Sequence, residues 1–323
     1  MIQRTFGIII PVEKISPGLS KTIRSLVAQT QENFHIYLIL TTLSQKAIPK
    51  TTVVTLPQSK NNPALKRNYG LSLSQHQYLL FLDDDIILPP YWLEEALKNL
   101  KQKNVSAAVG PLLTSPDSSI WKQISGYIWE SKLMSLRFSP QKTNYQQITN
   151  VYDYPCAALA IKTSDFIACG GFNENLYPGE DTKLCLDITE KLKKKILYDP
   201  SLIAFHDRKA FPMKFLRQIS TYATQRGVFV RKYPQTSLHP IYFLPLLFSL
   251  YVFSSAFFLF LGMYKIYMII PLLLYIILLT IDFLHTYARS KNIFVSITTC
   301  GGIIISHFIY GIFFLRGLIK RGE

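Results

Sequence analysis

Short apolar runs alternate with stretches of helical period through the front part of this chain. Residues 6–10 form an unbroken run closed by Pro11, and Leu19, Ile23, Leu26 and Val27 follow at helical spacing. Residues 35–40 and 51–56 repeat the strand pattern. Residues 62–74 have a helical period that predicts Leu65, Tyr69 and Leu73 on one face. Residues 78–82 are a further apolar run leading straight into Asp83-Asp84-Asp85; residues 91–101 are helical by period and 105–109 strand-like. Strands of about five residues, apolar on both faces and alternating with helices, predict an α/β class with a Rossmann-like, mostly parallel central sheet. Residues 114–150 have weak periodicity and predict an irregular, partly helical insertion over the sheet. A strand at 157–161, a short helix at 163–168, a helix from Glu180 or Asp181 to about Lys191 and strands at 196–198 and 202–205 complete a first domain over residues 1–207.

The pattern then changes. Between Arg208 and Lys232 there are seven Lys/Arg and no acid, interleaved with Phe211, Phe215, Leu216, Ile219, Tyr222, Val228 and Phe229. Such a helix suits a membrane interface, cations toward head groups and apolar side toward the acyl boundary; residues 208–238 are assigned to it. From Pro240 to Leu315 only Lys265, Asp282, Arg289 and Lys291 are charged. Within a membrane region over 239–323, residues 240–263 and 293–315 are long enough to cross about 30 Å of hydrocarbon. The middle segment, 266–284, needs Lys265 to snorkel or Asp282 to be sheltered. Three spans keep the loop with Arg289 and Lys291 on the cytoplasmic side; two would put the basic end there instead, and three is the preferred count.

Composition agrees with a folded domain carrying a membrane tail. The chain is 49% apolar with a mean hydropathy of +0.18, which excludes a disordered or fibrous protein. Its net charge of +15 would suit nucleic acid or an anionic membrane. The concentration of cations just ahead of the first span favours the membrane, and no nucleic-acid partner is expected. Cys156, Cys169, Cys185 and Cys300 lack CxxC spacing and predict free thiols in a reducing compartment. Arg4 precedes a run too short for a signal peptide, so the front domain is expected in the cytoplasm of a multi-pass membrane protein.

The chemistry starts at Asp83-Asp84-Asp85. Ligands of open parallel sheets bind beyond the carboxyl ends of the strands. Three adjacent carboxylates there repel one another unless solvent or a cation relieves them. A hard divalent cation, Mg²⁺ or Mn²⁺, would be held by one or two of them and completed by diphosphate oxygens and water. A second cluster is Gly170-Gly171-Phe172-Asn173-Glu174 followed by Gly179-Glu180-Asp181. Its acid pair at a helix N-terminus is equally explained by dipole compensation.

Taken together and in order, these segments resemble the family 2 glycosyltransferases of GT-A fold. Asp83-Asp84-Asp85 resembles their DxD motif, and Ala64-Leu65-Lys66-Arg67-Asn68-Tyr69-Gly70 their "ARNxG" segment. Gly170–Glu174 resembles "GGFDE", residues 179–184 "GEDxxL", and Ile8-Ile9-Ile10-Pro11-Val12 the opening strand and turn. The resemblance covers roughly residues 5–230. It implies a nucleotide-diphospho-sugar donor, an inverting transfer, and an acceptor that the membrane tail makes lipid-linked or membrane-proximal. Asp181 would be the general base with Glu180 as its neighbour; Asp83 would face the ribose, Asp84 would share the donor or metal role, and Asp85, with Asp83 and His206, would hold the metal. Pro11, Val12, Lys60, Arg67 and Asn68 are candidate donor contacts. Arg226 matches weakly a "QxxRW"-like segment near the diphosphate. Two departures are Pro11-Val12-Glu13-Lys14 at the opening turn and Thr41-Thr42 where relatives carry an Asp that binds the base. Those departures keep open an inactive sugar-nucleotide-binding or scaffold subunit as the alternative. Bacterial surface-glycan assembly at the plasma membrane is the setting the resemblance implies.

Overall fold

The computed structural model describes residues 5–41, 50–135, 147–263 and 265–320. Thr42, one of the two hydroxyls at the end of the second strand, lies outside them. Along the chain run β1 (Phe6–Pro11), α1 (Pro17–Val27), β2 (Phe34–Leu40), β3 (Thr51–Thr55), α2 (Pro63–Leu73), β4 (Tyr78–Leu82), β5 (Ile86–Ile87), α3 (Trp92–Leu100), β6 (Val105–Val109) and β7 (Leu112–Thr114). They are followed by α4 (Ile120–Glu130), α5 (Lys132–Ser135), β8 (Thr149–Val151), β9 (Ala158–Lys162), α6 (Thr163–Cys169), α7 (Glu180–Leu186), β10 (Lys195–Tyr198) and β11 (Ala204–His206). The remainder is helical: α8 (Met213–Lys232), α9 (Pro234–Ser237), α10 (Pro240–Phe260), α11 (Ile270–Ser290) and α12 (Ile293–Ile319). The chain divides into two compact units, Met1–Ser115 with Lys142–Asp207, and Pro116–Gln141 with Arg208–Glu323.

The first unit is built on an eight-stranded sheet in the order β3-β2-β1-β4-β9-β6-β10-β8, with a three-stranded sheet β5-β11-β7 beside it. Strands β1, β2, β3 and β4 pair in parallel, as do β6 and β10. In the eight-stranded sheet the exceptions to parallel pairing are β9, antiparallel between β4 and β6, and β8 at the edge, antiparallel to β10; in the three-stranded sheet β5 is antiparallel to β11. Burial explains why the central strands read as unbroken apolar runs: Ile8, Ile9, Ile10 and all of β4 are buried on both faces. Helix α2 keeps the expected face in part. Leu65 and Leu73 pack against the core, but Tyr69 is exposed, and the fully buried residues are Ala64, Lys66, Arg67 and Gly70. A side chain at Gly70 would collide with Ile9 of β1, so the helix crosses the sheet closely at that residue. The helix beginning at Glu180 is regular to Leu186 and then widens over Asp187–Lys191, where Leu192 N–H reaches back to the Asp187 carbonyl.

The second unit is all helical among its described residues. Compared with the expected first domain over 1–207, the stretch Pro116–Gln141 belongs to this unit. The reason is its apolar stripe: Ile124, Ile128 and Leu133 are buried in one cluster with Phe215, Ile219, Val295 and Ile303. Three segments, Pro240–Phe260, Ile266–Ser290 and Ile293–Ile319, are long and apolar enough to cross a membrane. The middle one continues six residues past its expected end at 284, with Asp282 sheltered by the Ser131 hydroxyl (2.6 Å) and the Lys132 N–H (3.0 Å). The most apolar window is 11% buried in the first segment and 6% in the second but 39% in the third, so α12 is the inner helix.

Helix α8 uses its apolar side differently from the interfacial expectation. Phe215, Ile219 and Phe229 are buried against protein, while Lys214, Arg217, Arg231 and Lys232 stay exposed. Its crossing with α12 is set by Gly227 and Gly317, where a methyl on either would run into the backbone of the other helix. Gly227→Leu is therefore expected to destabilise the protein by about 1–3 kcal/mol, read as a lower thermal midpoint in detergent. Gly301→Ala, whose side chain would meet open space, should leave that midpoint unchanged. An unaltered midpoint in Gly227→Leu would show the crossing to be loose.

Candidate active site

All the acids of the two motifs lie in the first unit, where strand ends and helix starts hold them. Strand β4 ends at Leu82, and Asp83 N–H continues its ladder by donating to the Ala157 carbonyl (2.9 Å). The next two residues are fixed by their main chains. Asp84 O accepts from the Thr22 hydroxyl (3.1 Å), and Asp85 O accepts from Asp207 N–H (3.0 Å). The register of β5 with β11 then sets His206 opposite Ile86, the neighbour of Asp85. As a result His206 Nε2 lies 3.3 Å from Asp85 Oδ1.

Arg67 joins the two motifs. Asn62 caps α2 by accepting from Ala64 N–H (2.8 Å), and Ala64, Arg67 and Gly70 recur at three-residue spacing on the buried side. The guanidinium of Arg67 donates through Nη2 to Asp83 Oδ1 (2.8 Å) and through Nη1 to Glu180 Oε1 (2.9 Å). Burial opposes its charge, but Asp83 and Glu180 outweigh that cost and raise its pKa, so it stays a cation. One fork thus spans the end of β4 and the start of α7, and the acid triplet and the Glu180-Asp181 pair share one site.

The Gly170-Gly171 turn closes the same site. Both glycines have positive φ, +89° and +76°, which a side chain would strain. Gly171 lies against Asn68 Oδ1, and Asn68 ties down the whole turn: Oδ1 accepts from Phe172 N–H (2.9 Å) and Nδ2 donates to Phe172 O (2.8 Å) and Glu174 Oε1 (2.9 Å). Asn68, a candidate donor contact, is therefore engaged by the protein itself. Phe172 packs against Phe81 and Phe166 and lies beneath Arg67, 5.4 Å from the guanidinium carbon.

Asp181 is half-buried at the N-terminus of α7. Burial, then the charges of Glu180 and Asp153, push its pKa up to about 7, against the Thr182 N–H bond (2.8 Å) and Arg67. A carboxyl poised near neutrality can take up a proton and release it again. The thiols near it are of another kind: burial first, and the acids second, push Cys156 and Cys185 well above the usual range, so neither is a thiolate nucleophile.

The remaining candidates are spread out. Pro11 ends β1, the Val12 side chain is buried, and the Val12 carbonyl accepts from Lys66 Nζ (2.7 Å). Lys60 is exposed at the end of a short 3₁₀ turn, Gln58–Lys60. Arg226 belongs to the second unit, where it stands over Tyr242 (4.6 Å) and donates to Ser237 Oγ (3.3 Å) and Thr236 O (3.4 Å). Two residues of the site escaped the sequence reading. Lys66 is buried and also donates to Asn61 Oδ1 (2.7 Å) and Thr41 Oγ1 (3.4 Å); burial lowers its pKa, and Glu13 and Asp84 counter that. A lysine inside the Lys66-Arg67-Asn68 segment was visible, but helical period does not show that it is buried. Asp153 carried no local signal at all.

Among the described residues no group of three or more His, Cys, Asp or Glu side chains forms a cage for a metal ion. Asp83 is turned to Arg67, which leaves Asp85 and His206 as the facing pair. That set fits a hard cation that takes few protein ligands and completes its shell with substrate oxygens and water.

The family model described as Glycosyl transferase family 2 matches residues 7–165, which include most of β1, Arg67 and the acid triplet. Residues 7–165 carry a family 2 glycosyl transferase domain. The Pre-mycofactocin glycosyltransferase of Mycobacterium tuberculosis is 29% identical over 153 residues, 47% of this chain and 31% of its own length. The chain thus spans less than a third of the curated relative it matches. Among solved structures, the mannosyltransferase PcManGT from Pyrobaculum calidifontis, in complex with GDP-Man and Mn²⁺, has a TM-score of 0.64 at 12% identity, covering 99% of this chain and 88% of that one. GalNAc-T7 with UDP, GalNAc and Mn²⁺ has a TM-score of 0.50 at 14% identity, over 74% of this chain and 52% of that one. TarS of S. aureus scores 0.50 at 14% identity, over 92% and 55%. At these identities the likeness is one of fold, and it places the sheet of this glycosyl transferase domain in the GT-A class.

Proposed function

We propose that this chain moves a sugar, with inversion, from a nucleotide-diphospho-sugar to a hydroxyl of a lipid-linked or membrane-proximal glycan acceptor. The observation that carries the reading is the Arg67 fork, which brings the triplet that would face the donor and the acid pair that would face the acceptor to one guanidinium. The acceptor oxygen attacks the anomeric carbon, its proton passes to the Asp181 carboxylate, and the bond to the diphosphate oxygen breaks with its electron pair leaving on the diphosphate. A base at this position serves a single displacement because it stands on the acceptor side. Asp83 and Asp84 line the donor, with Pro11, Val12 and Thr41 at the ends of β1 and β2 and Lys60 of the Gln58–Lys60 turn toward the nucleoside. Asp85 and His206 would hold a divalent cation, Mg²⁺ or Mn²⁺, which when bound neutralises charge on the leaving diphosphate. The Mn²⁺ and GDP-Man in the PcManGT complex support that assignment.

The three apolar helices and the exposed cations of α8 support a multi-pass membrane protein whose glycosyl transferase domain faces the cytoplasm, the setting being a bacterial plasma membrane. With three spans the loop bearing Arg289 and Lys291 returns to that side, in keeping with the cytoplasmic bias of short basic loops. Holding the domain at the bilayer confines it with its acceptor and lowers the entropy cost of encounter.

The full chain in detergent is expected to release nucleoside diphosphate from at least one member of a panel of UDP- and GDP-sugars with Mn²⁺ or Mg²⁺. Release should fall to the protein-free rate in EDTA and return when the cation is restored. Binding of the panel without turnover of any member would instead identify a sugar-nucleotide-binding subunit.

A further inference from the structure

Asp153 lies between β8 and β9, outside every motif of the sequence, yet the fold delivers it to the start of α7. Its neighbour Tyr154 is buried, donates to the Gly110 carbonyl and packs against Tyr198 (6.1 Å between ring centroids). The Tyr154 carbonyl accepts from Cys185 of α7 (3.5 Å), so this segment and the helix are tied together at two successive residues. Thr182 is the link. Its hydroxyl donates to Asp153 Oδ1 (2.9 Å) while its N–H donates to Asp181 Oδ1 (2.8 Å). Thr182 is only 5% exposed, so both bonds are sheltered from competing water.

We propose that Asp153 is a positioning residue for the transfer: through the buried Thr182 hydroxyl it fixes the first turn of α7, and its negative charge faces the general base. This rests on Asp181 acting as that base. The two effects are separable. The Thr182 bridge holds the Asp181 carboxylate in one orientation toward the acceptor hydroxyl, which a loose first turn would not do. The like charge makes the ionised form of Asp181 less favourable and so strengthens its hold on a proton. The groups around Asp181 are Glu180 on its own helix, Asp153 from the β8–β9 link and Arg67 from α2, with the neutral Cys156, Cys185 and Tyr177 beside them. Glu180 is already paired with Arg67, which leaves Asp153 as the acid whose removal changes the charge facing Asp181 without breaking that ion pair.

The charge is tested without any substrate. The full chain in detergent is treated with a water-soluble carbodiimide and glycine ethyl ester across a pH series. Amide formation at Asp181 is read by peptide mass spectrometry against exposed Glu32. Protonated carboxyls react, so labelling of Asp181 should persist to about pH 7 in the parent chain. In Asp153→Asn, which keeps an oxygen for the Thr182 hydroxyl, the midpoint should move about one pH unit lower. Asp153→Ser, which also removes the charge, carries the same expectation if Asp153→Asn does not accumulate. An unmoved midpoint in the folded variant overturns the proposal.

The bridge is tested by kinetics with the donor that the panel identifies. Thr182→Val should lower kcat about tenfold with donor KM unchanged, and Thr182→Ser should restore it. Parent-like kcat in Thr182→Val overturns the positioning role. Failure of the underlying reading is seen separately, as retained transfer in Asp181→Asn.

Discussion

Asp181→Asn is expected to lose about 10²–10⁴-fold in kcat, while donor binding in the presence of Mn²⁺ stays within a few-fold of the parent. The amide is nearly isosteric and keeps the oxygen that accepts from Thr182 N–H, so the fold of α7 should survive. What disappears is the proton acceptor. The pH dependence gives an independent check on the same group. Because the Asp181 pKa is raised to about 7, the carboxyl is mostly protonated below that pH and cannot accept, so kcat/KM should rise with pH through about 7 and level off above it. The residual activity of Asp181→Asn should lack that limb. Full activity, or an unchanged limb, in the variant would remove Asp181 from the mechanism.

Arg67→Met is the second large effect. The parent side chain neutralises Asp83 and Glu180 together, and the side chain of Glu180 is only 7% exposed. Removing one partner of a buried ion pair strands the others, at a cost of about 3–5 kcal/mol. A correspondingly lower denaturation midpoint is expected, together with loss of transfer, because the two acid motifs are no longer held to one another. The charge argument makes a further demand. Adding Asp83→Asn and Glu180→Gln to Arg67→Met should recover part of the lost stability, since no unpaired carboxylate then remains. Arg67→Lys keeps the charge but has no planar fork to reach both acids, and should fall between parent and Arg67→Met. Parent-like stability in Arg67→Met would show that the two motifs are held together by something else.

How legible the site was depended on the range of each interaction. The β4 strand and the acids that follow it were readable because an apolar run and its end are local features. So was the start of α7 at the Glu180-Asp181 pair. The buried side of α2 was readable only in part. Helical period picked Leu65, Tyr69 and Leu73, of which Leu65 and Leu73 pack against the core and Tyr69 is exposed; it did not show that Gly70 meets the sheet or that the carboxylates at the strand ends draw Arg67 inward. The insertion after Ser115 was visible only as weak periodicity, because its apolar stripe is completed by residues of α8 and α12 far along the chain.

The sequence by itself determined the succession of strands and helices, the delivery of Asp83, Asp84 and Asp85 at a strand end, and the apolar tail with its basic approach. Periodicity and turn chemistry act over a few residues, and those features need nothing more. Only the tertiary structure decided which charges meet: Arg67 with Asp83 and Glu180, 16 and 113 residues away, Asp85 with His206, and Asp153 with Thr182. Such pairs are set by strand register and by burial between distant elements. A charge finds its partner where water is excluded, and the chain excludes water only once it has folded.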